Sequence, residues 1–132
     1  MGKKPLTVTD AELAVLHVLW QGAPLPARAI AKQIYRNCSE TEVATVRSML
    51  TRLEAKKLVR RDRSLHVHLF SAAKTRTEIC GEQVHSIARK YGYCSFVSLV
   101  THLVNDRRIS RSELEEVRRL LDQLPSLDSS DE

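Results

Sequence analysis

Cationic and hydroxyl side chains recur on one face of residues 42–57, and three arginines follow within residues 60–63. Short hydroxyls and long cations are the groups that hydrogen-bond to base edges and phosphates when a helix enters the major groove of DNA. The residues assigned to base reading are Thr45, Arg47, Ser48 and Arg52. The residues assigned to the DNA backbone are Thr41, Thr51, Lys56, Arg60, Arg61 and Arg63.

Two periodicities predict the elements that must position these side chains. Apolar residues recur at spacings of three and four, which is typical of a helix with one buried stripe. They are Val43, Val46, Leu50 and Leu53. Beyond Lys57, residues 65–70 alternate in the manner of a strand, with residues 58–62 as its partner and Arg63-Ser64 as the turn. The sequence therefore predicts a reading helix followed by a basic hairpin.

The residues before this segment predict two more helices. Thr9 and Glu12 have the T-x-x-E spacing of a capping box, and the helix that begins there should end near Gly22. A second helix is predicted over residues 26–37, with Pro26 at its first position. Ser39 or Thr41 caps the reading helix. The expected core side chains are Leu13, Val15, Leu16, Leu19 and Trp20 in the first helix, and Ala27, Ala29, Ile30 and Ile34 in the second.

The resulting order, α-α-α-β-β, predicts a mainly helical chain that begins with a winged helix-turn-helix over residues 1–72. Residues 71–72 form the expected joint, followed by helices over 74–90, 96–105 and 111–124. The helix at 96–105 is apolar nearly all round, so a shared core in a homodimer over residues 73–124 is predicted. The side chains assigned to dimerisation are Phe96, Leu99, Val100, Leu103, Val104, Leu114, Val117 and Leu121. Residues 125–132 form an acidic tail that is predicted to be disordered.

Charge is distributed unevenly along the chain. Residues 1–70 carry 12 Lys and Arg against 6 Asp and Glu, whereas residues 71–132 carry 9 against 10. A basic half favours a polyanionic partner. The sequence has no Gly-rich phosphate loop, no HExxH and no GxSxG, so no enzyme activity, cofactor or metal is predicted. Without a signal pattern or a long apolar run, the chain is expected to be soluble, cytoplasmic and not bound to a membrane.

Several segments together resemble the penicillinase-repressor family of transcriptional regulators, the BlaI/MecI type. They are TDAELAVLHVLW at 9–20, TVRSMLTRLEAKKLVRR at 45–61, a strand ending in HLFSA, SFVSLVTHLVND at 95–106 and ISRSELEEVRRLLDQL at 109–124. The resemblance covers about residues 6–124. It implies a homodimeric repressor whose winged helices bind an inverted-repeat operator of the TACA/TGTA type. Thr45 and Arg52 fall on the recognition-helix threonine and arginine of the family pattern.

The chain departs from that family at two places. Lys57 stands where relatives have the glycine that ends the recognition helix, and the wing turn also lacks glycine, which requires a positive φ or a looser turn. In antibiotic-responsive members a sensor-protease pathway cleaves an Asn-Phe bond. The aligned bond is Thr101-His102, a different sequence at the possible cleavage position.

Two alternatives remain open. A metal- or redox-responsive repressor of the same fold would use His66 and His68, predicted on one strand face, or the dispersed residues of the C-terminal half: Cys80, His85, Cys94 and His102. Compact ligand spacing is missing, and Cys38, Cys80 and Cys94 are expected to be reduced structural thiols. A winged-helix module that binds protein instead of DNA is the other alternative, which the basic N-terminal half disfavours.

Overall fold

The computed structural model describes residues 7–91 and 95–125, apart from the side chain of residue 96. The helices are Asp10–Gln21 (α1), Ala27–Ile34 (α2), Glu40–Ala55 (α3), Arg76–Lys90 (α4), Phe96–Asn105 (α5) and Arg111–Gln123 (α6), and the strands are Val59–Asp62 (β1) and Leu69–Ala72 (β2). The described residues divide into two compact units, with the boundary between residues 87 and 88, inside α4. No helix in the described ranges is long and apolar enough to cross a membrane.

The predicted order of three helices and a hairpin is confirmed in the N-terminal unit, which is a winged helix-turn-helix. The stripe predicted for α3 is fully buried: Val43, Val46, Leu50 and Leu53 are each 0% exposed. From α1 the core receives Val15, Leu16 and Leu19, together with Val18, which the sequence analysis missed. Leu13 was predicted to be buried and is only half-buried.

Reciprocal capping fixes where α1 and α3 begin. The Thr9 amide donates to Glu12 Oε1 and the Glu12 amide donates to Thr9 Oγ1, both at 3.1 Å. The same box joins Ser39 to Glu42, so α3 begins at Glu40 and Thr41 lies inside the helix. In α2 the predicted end at residue 37 is wrong, because Tyr35 already has an extended backbone and its amide donates to the carbonyl of Ala31.

Lys57 has a φ of 66°, so the expected positive φ at this glycine-like position is confirmed. Its amide donates to the carbonyl of Glu54 at 3.0 Å, and the next amide, from Leu58, donates to Leu53 at 2.9 Å. This pair of bonds is a Schellman motif, in which a left-handed residue satisfies the last carbonyls of a helix. It turns the chain directly from α3 into β1.

The wing is an antiparallel pair in which Val59 faces Ala72 and Asp62 faces Leu69. The predicted turn at residues 63–64 is wrong, as is the predicted start of the strand at residue 65, because residues 63–68 all lie between the strands. A two-residue hairpin turn needs positive φ at residues such as glycine, which this segment lacks. Leu25 adds an isolated bridge to Phe70, with N–O distances of 3.0 and 2.8 Å.

The start of α4 belongs to the N-terminal unit. Trp20, predicted as a core anchor, is half-buried against the core, and its Nε1 donates to the carbonyl of Lys74 at 2.9 Å. The guanidinium of Arg76 lies over the Trp20 ring, 5.3 Å from its centroid. Ile79 is only 3% exposed and belongs to the same core. Residues 71–72, predicted to be a joint, instead end β2.

In the C-terminal unit, α5 has the predicted bounds and α6 ends at Gln123. The Ser110–Glu113 capping box is present at the start of α6. None of the described side chains from residue 88 onward is buried. The described part of this unit therefore has no closed core of its own.

Candidate nucleic-acid interface

The outer face of α3 carries the residues assigned to base reading. Thr45, Arg47 and Ser48 are exposed, because the opposite, apolar stripe of the helix enters the core. Two hydroxyls are held along the helix: Thr45 donates to the carbonyl of Thr41, and Thr51 donates to the carbonyl of Arg47, each at 3.0 Å. Both hydroxyl oxygens keep acceptor capacity towards an outside donor.

A buried carboxylate lies behind the base-reading face. Glu12 is 1% exposed, and its Oε1 accepts from Lys56 Nζ at 2.7 Å, while its Oε2 lies 3.2 Å from Arg52 Nε. Lys56 Nζ also donates to the carbonyl of Thr7 at 2.8 Å. We call Thr9, Glu12, Arg52 and Lys56 the Glu12 cluster.

The electrostatics of the Glu12 cluster follow from these contacts. Burial by itself raises the pKa of Glu12, but hydrogen bonds from Lys56, the Thr9 amide and Arg52 together outweigh it and lower the pKa below 4.5. The carboxylate is therefore charged near neutral pH, and the two cations neutralise it.

A second carboxylate joins α3 to the wing. Glu54 Oε1 lies 3.0 Å from Arg61 Nε, and Glu54 Oε2 lies 3.2 Å from Arg63 Nη2. Arg61 also donates to Thr51 Oγ1 at 3.3 Å and covers the ring of Phe70 at 4.9 Å from its centroid. We call Glu54, Thr51, Arg61 and Arg63 the Glu54 cluster.

The cations assigned to DNA therefore fall into two groups. Arg52, Lys56, Arg61 and Arg63 are each paired with a carboxylate of the protein. Arg47 and Arg60 are exposed and make no ion pair with any residue that the structure describes. Sequence reasoning missed Glu54 altogether and gave Glu12 only its capping function. Their partners lie on other elements, and nothing in the local pattern indicates such pairs.

The turn between α2 and α3 is also held by charge. Arg28 Nη1 lies 2.8 Å from Glu40 Oε2, across the segment that separates the two helices. A hydrogen bond from Arg28 lowers the pKa of Glu40, and the same bond raises the pKa of Arg28. Both side chains are exposed, so this pair contributes little to stability.

The histidines of the wing do not share a strand face, because residues 66 and 68 lie in the connection between the strands. His66 is exposed and His68 is half-buried. Across the described ranges, no group of three or more His, Cys, Asp and Glu side chains could hold a metal ion. Cys38 and Cys80 are free thiols, and Cys94 lies outside the described residues.

The residues assigned to dimerisation lie on α5 and α6. Leu99, Val100, Leu103 and Leu114 are half-buried, and the side chain of Phe96 lies outside the described part. Val104, Val117 and Leu121 are 37%, 49% and 54% exposed. Thr101 and His102, at the possible cleavage position, are exposed within α5, and the Thr101 hydroxyl donates to the carbonyl of Val97.

The three-helix arrangement, the hairpin behind α3 and the exposed hydroxyls and cations of α3 define a winged helix-turn-helix protein. The family model described as Penicillinase repressor matches residues 8–123. The chain belongs to the penicillinase repressor family, which confirms the resemblance seen in the sequence. It is accordingly a DNA-binding transcriptional repressor, as predicted, and the family is not one of enzymes.

Relatives span nearly the whole chain at low identity. The penicillinase repressor of Staphylococcus aureus is 23% identical over 124 residues, which cover 94% of this chain and 98% of that protein. The methicillin resistance regulatory protein MecI of Staphylococcus aureus strain N315 is 24% identical over 121 residues, covering 92% and 98%. Among solved structures, a variant of ZitR from Lactococcus lactis matches with a TM-score of 0.45 and 17% identity, covering 92% of this chain and 76% of that one.

Proposed function

We propose that the chain represses transcription as a homodimer that places two winged helix-turn-helix units on an inverted-repeat operator. Thr45, Arg47, Ser48 and Arg52 read bases, and the contacts to the DNA backbone come from Thr41, Thr51, Lys56, Arg60, Arg61 and Arg63. Repression ends when the C-terminal dimer is lost. Membership of a repressor family supports the activity, and the C-terminal unit supports the assembly.

The observation that carries the homodimer is the lack of buried side chains among the described residues from 88 onward. The apolar residues of α5 and α6 remain in contact with water in one chain, which is unfavourable by about 25 cal/mol for each Å² of apolar surface. A second copy offers the same apolar faces, so each chain can bury the other's surface. The occupant that we propose for these faces is therefore a second copy of this chain.

Avidity supplies the reason for coupling the dimer to DNA binding. Two linked winged helices bind two half-sites with a gain of about 10²–10⁴ over one copy, through effective concentration alone. Loss of the dimer then releases the operator without changing any contact to DNA. A cut at Thr101-His102 by a sensor-protease would act in this way, but it would require α5 to open around that bond, because protease cleavage favours exposed loops.

The test compares the whole chain with a fragment ending at residue 87, after the side chain of Ile79 that completes the N-terminal core. A fragment ending at residue 73 would leave that core open. The probe is the duplex recovered by repeated selection from a random library with the whole chain. We expect the fragment to bind one half-site as the whole chain does, but to lose about 10²–10⁴ in affinity for the inverted repeat. Equal affinity for the inverted repeat would contradict the proposal.

Two further measurements separate the alternatives. Sedimentation should show a dimer of the whole chain at micromolar concentration, and Leu103→Asp should dissociate it by placing a charge in a desolvated interface. Binding to duplex DNA should weaken steeply with salt, as expected for contacts to phosphates. A protein-interaction module would show no salt-dependent DNA binding, and a metal-responsive repressor would lose the selected duplex only when its ion is added or removed.

A further inference from the structure

The carboxylate of Glu12 does more than its position in a capping box requires. A capping box needs one side-chain oxygen, which accepts from the amide of the cap residue. Here Oε1 accepts from the Thr9 amide, while Oε2 is directed to Arg52 Nε at 3.2 Å. The first turn of α1 thereby holds an arginine of α3 that lies 40 residues away in sequence.

The contact uses one specific edge of the guanidinium. Glu12 engages Nε of Arg52, and in the described part of the chain no contact is recorded for the two terminal nitrogens. The Arg52 side chain is 54% exposed, so those nitrogens remain accessible from outside. Two parallel N–H donors are what an arginine presents to the O6 and N7 atoms of guanine. Fixing the Nε edge in advance reduces the conformational entropy that Arg52 loses on binding.

Neutralisation of the buried charge does not by itself require Arg52. A buried carboxylate is costly unless it is paired. Lys56 meets this need with a shorter contact, 2.7 Å, and with a side chain that is less exposed, 29% against 54% for Arg52. The weaker and more exposed contact to Arg52 adds less to neutralisation, and its main consequence is the orientation of the guanidinium.

From these contacts we infer that Glu12 is a positioning residue for DNA specificity: it lies in α1, outside the recognition helix, and orients Arg52 for base reading. The inference rests on the proposed function, in which Arg52 reads a base. Glu12 also places a negative charge behind the DNA face, which lowers affinity for every sequence through repulsion of phosphates. Removal of that charge should therefore raise affinity for unrelated DNA while it lowers discrimination. A residue that only stabilised the fold would not separate these two quantities.

The decisive variant is Glu12→Gln, because glutamine also closes a capping box but carries no charge. The matched control is Glu42→Gln, which removes the same charge from the capping box of α3. Glu42 makes no ion pair with a described residue. Dissociation constants are measured for the selected duplex and for a scrambled duplex of equal composition. Their ratio should fall about tenfold in Glu12→Gln, the order of one base contact, and stay unchanged in Glu42→Gln.

Two backgrounds show whether Glu12 acts through Arg52. In Arg52→Ala, the further change Glu12→Gln should leave the ratio unchanged, and a further loss there would overturn the inference. Arg52→Lys keeps a charge beside Glu12 but lacks the two-donor fork, so it should lose discrimination and keep affinity for scrambled DNA. This variant also serves if Glu12→Gln does not fold, and an unchanged ratio in it would overturn the inference.

The two proposals fail in different ways. If selection enriches no sequence, both the proposed function and this inference are overturned. If selection succeeds but Glu12→Gln discriminates as the wild type does, only the inference is overturned and the repressor function stands.

Discussion

The two units of the chain treat their apolar residues in opposite ways. In the N-terminal unit the leucines of α3 are fully buried, whereas Leu120 and Leu121 of α6 are 61% and 54% exposed. The first unit thus closes a core within one chain, and the described part of the second does not. The comparison indicates that the N-terminal fold is stable in a single chain, while the C-terminal fold depends on a partner.

The ion pairs of the two units differ in the same direction. In the N-terminal unit, Glu12 and Glu54 each join elements that are distant in sequence or belong to different parts of the fold. In the C-terminal unit, Arg108 pairs with Asp106 at 2.6 Å, two residues away, and both side chains are exposed. A local exposed pair adds little stability, whereas a pair between elements restrains their relative position.

The largest expected effect concerns two leucines in the two units. Leu50→Ala should reduce the free energy of unfolding by about 2–5 kcal/mol, because it leaves a cavity in a closed core. The loss should not depend on protein concentration. Leu121→Ala should have an effect that changes with concentration, since its surface is proposed to be covered only in the dimer. Urea unfolding at two concentrations measures both, and a concentration-independent loss in Leu121→Ala would break the comparison.

A second pair of substitutions locates the boundary between the units within one helix. Ile79 is 3% exposed and Ile87 is 56% exposed, although both lie on α4. We expect Ile79→Ala to destabilise the N-terminal unit by about 2–3 kcal/mol, towards the low end for buried isoleucine because the site lies at the edge of the core. Ile87→Ala should change it by less than about 0.5 kcal/mol. Fluorescence of Trp20, the only tryptophan, reports this unit, and equal losses would move the boundary.

The third prediction concerns neighbouring arginines of the wing. Arg60→Ala should leave stability unchanged and lower the salt slope of DNA binding by about one unit, since this cation is proposed to contact a phosphate. Arg61→Ala should destabilise the N-terminal unit by about 1 kcal/mol, through loss of its stacking on Phe70 and its ion pair with Glu54. Salt titration and urea unfolding of both variants measure these effects. Interchanged results would show that the Glu54 cluster does not restrain Arg61.

The elements of the fold could be predicted because their signals are local. The stripe of α3 and the T-x-x-E box of α1 lie within one helix each, and both are present as expected. The wing could not be predicted in detail, since alternation over residues 65–70 suggested a strand. In the structure the Asp62 carboxylate accepts from the Ser64 amide at 2.9 Å, and Leu65 and Val67 are 59% and 54% exposed in the connection.

The candidate interface was predicted as a set of residue types but not as a set of contacts. Exposure of Thr45, Arg47 and Ser48 follows from the period of the helix. The pairing of Arg52 with Glu12 depends on how α1 crosses α3, which no local pattern encodes. The same limit applies to Arg61, whose neighbours on the wing gave no sign that Glu54 would hold it.

The smallest effect that we expect is a difference in acid sensitivity between capping carboxylates of the two units. Burial raises the pKa of Glu12, but its hydrogen bonds to Lys56, Thr9 and Arg52 outweigh burial and hold it below 4.5. A folded pKa below the unfolded value stabilises the fold fully above the unfolded pKa, and this contribution is lost as pH falls through the folded pKa. Unfolding of the N-terminal unit, followed by Trp20 fluorescence from about pH 6 to about pH 3, should therefore lose stability less steeply in Glu12→Gln than in the wild type. Glu113→Gln, which removes the capping carboxylate of α6, is the control and should leave this transition unchanged. If the wild type and Glu12→Gln lost stability in parallel, the Glu12 cluster would not contribute to the stability of the N-terminal unit.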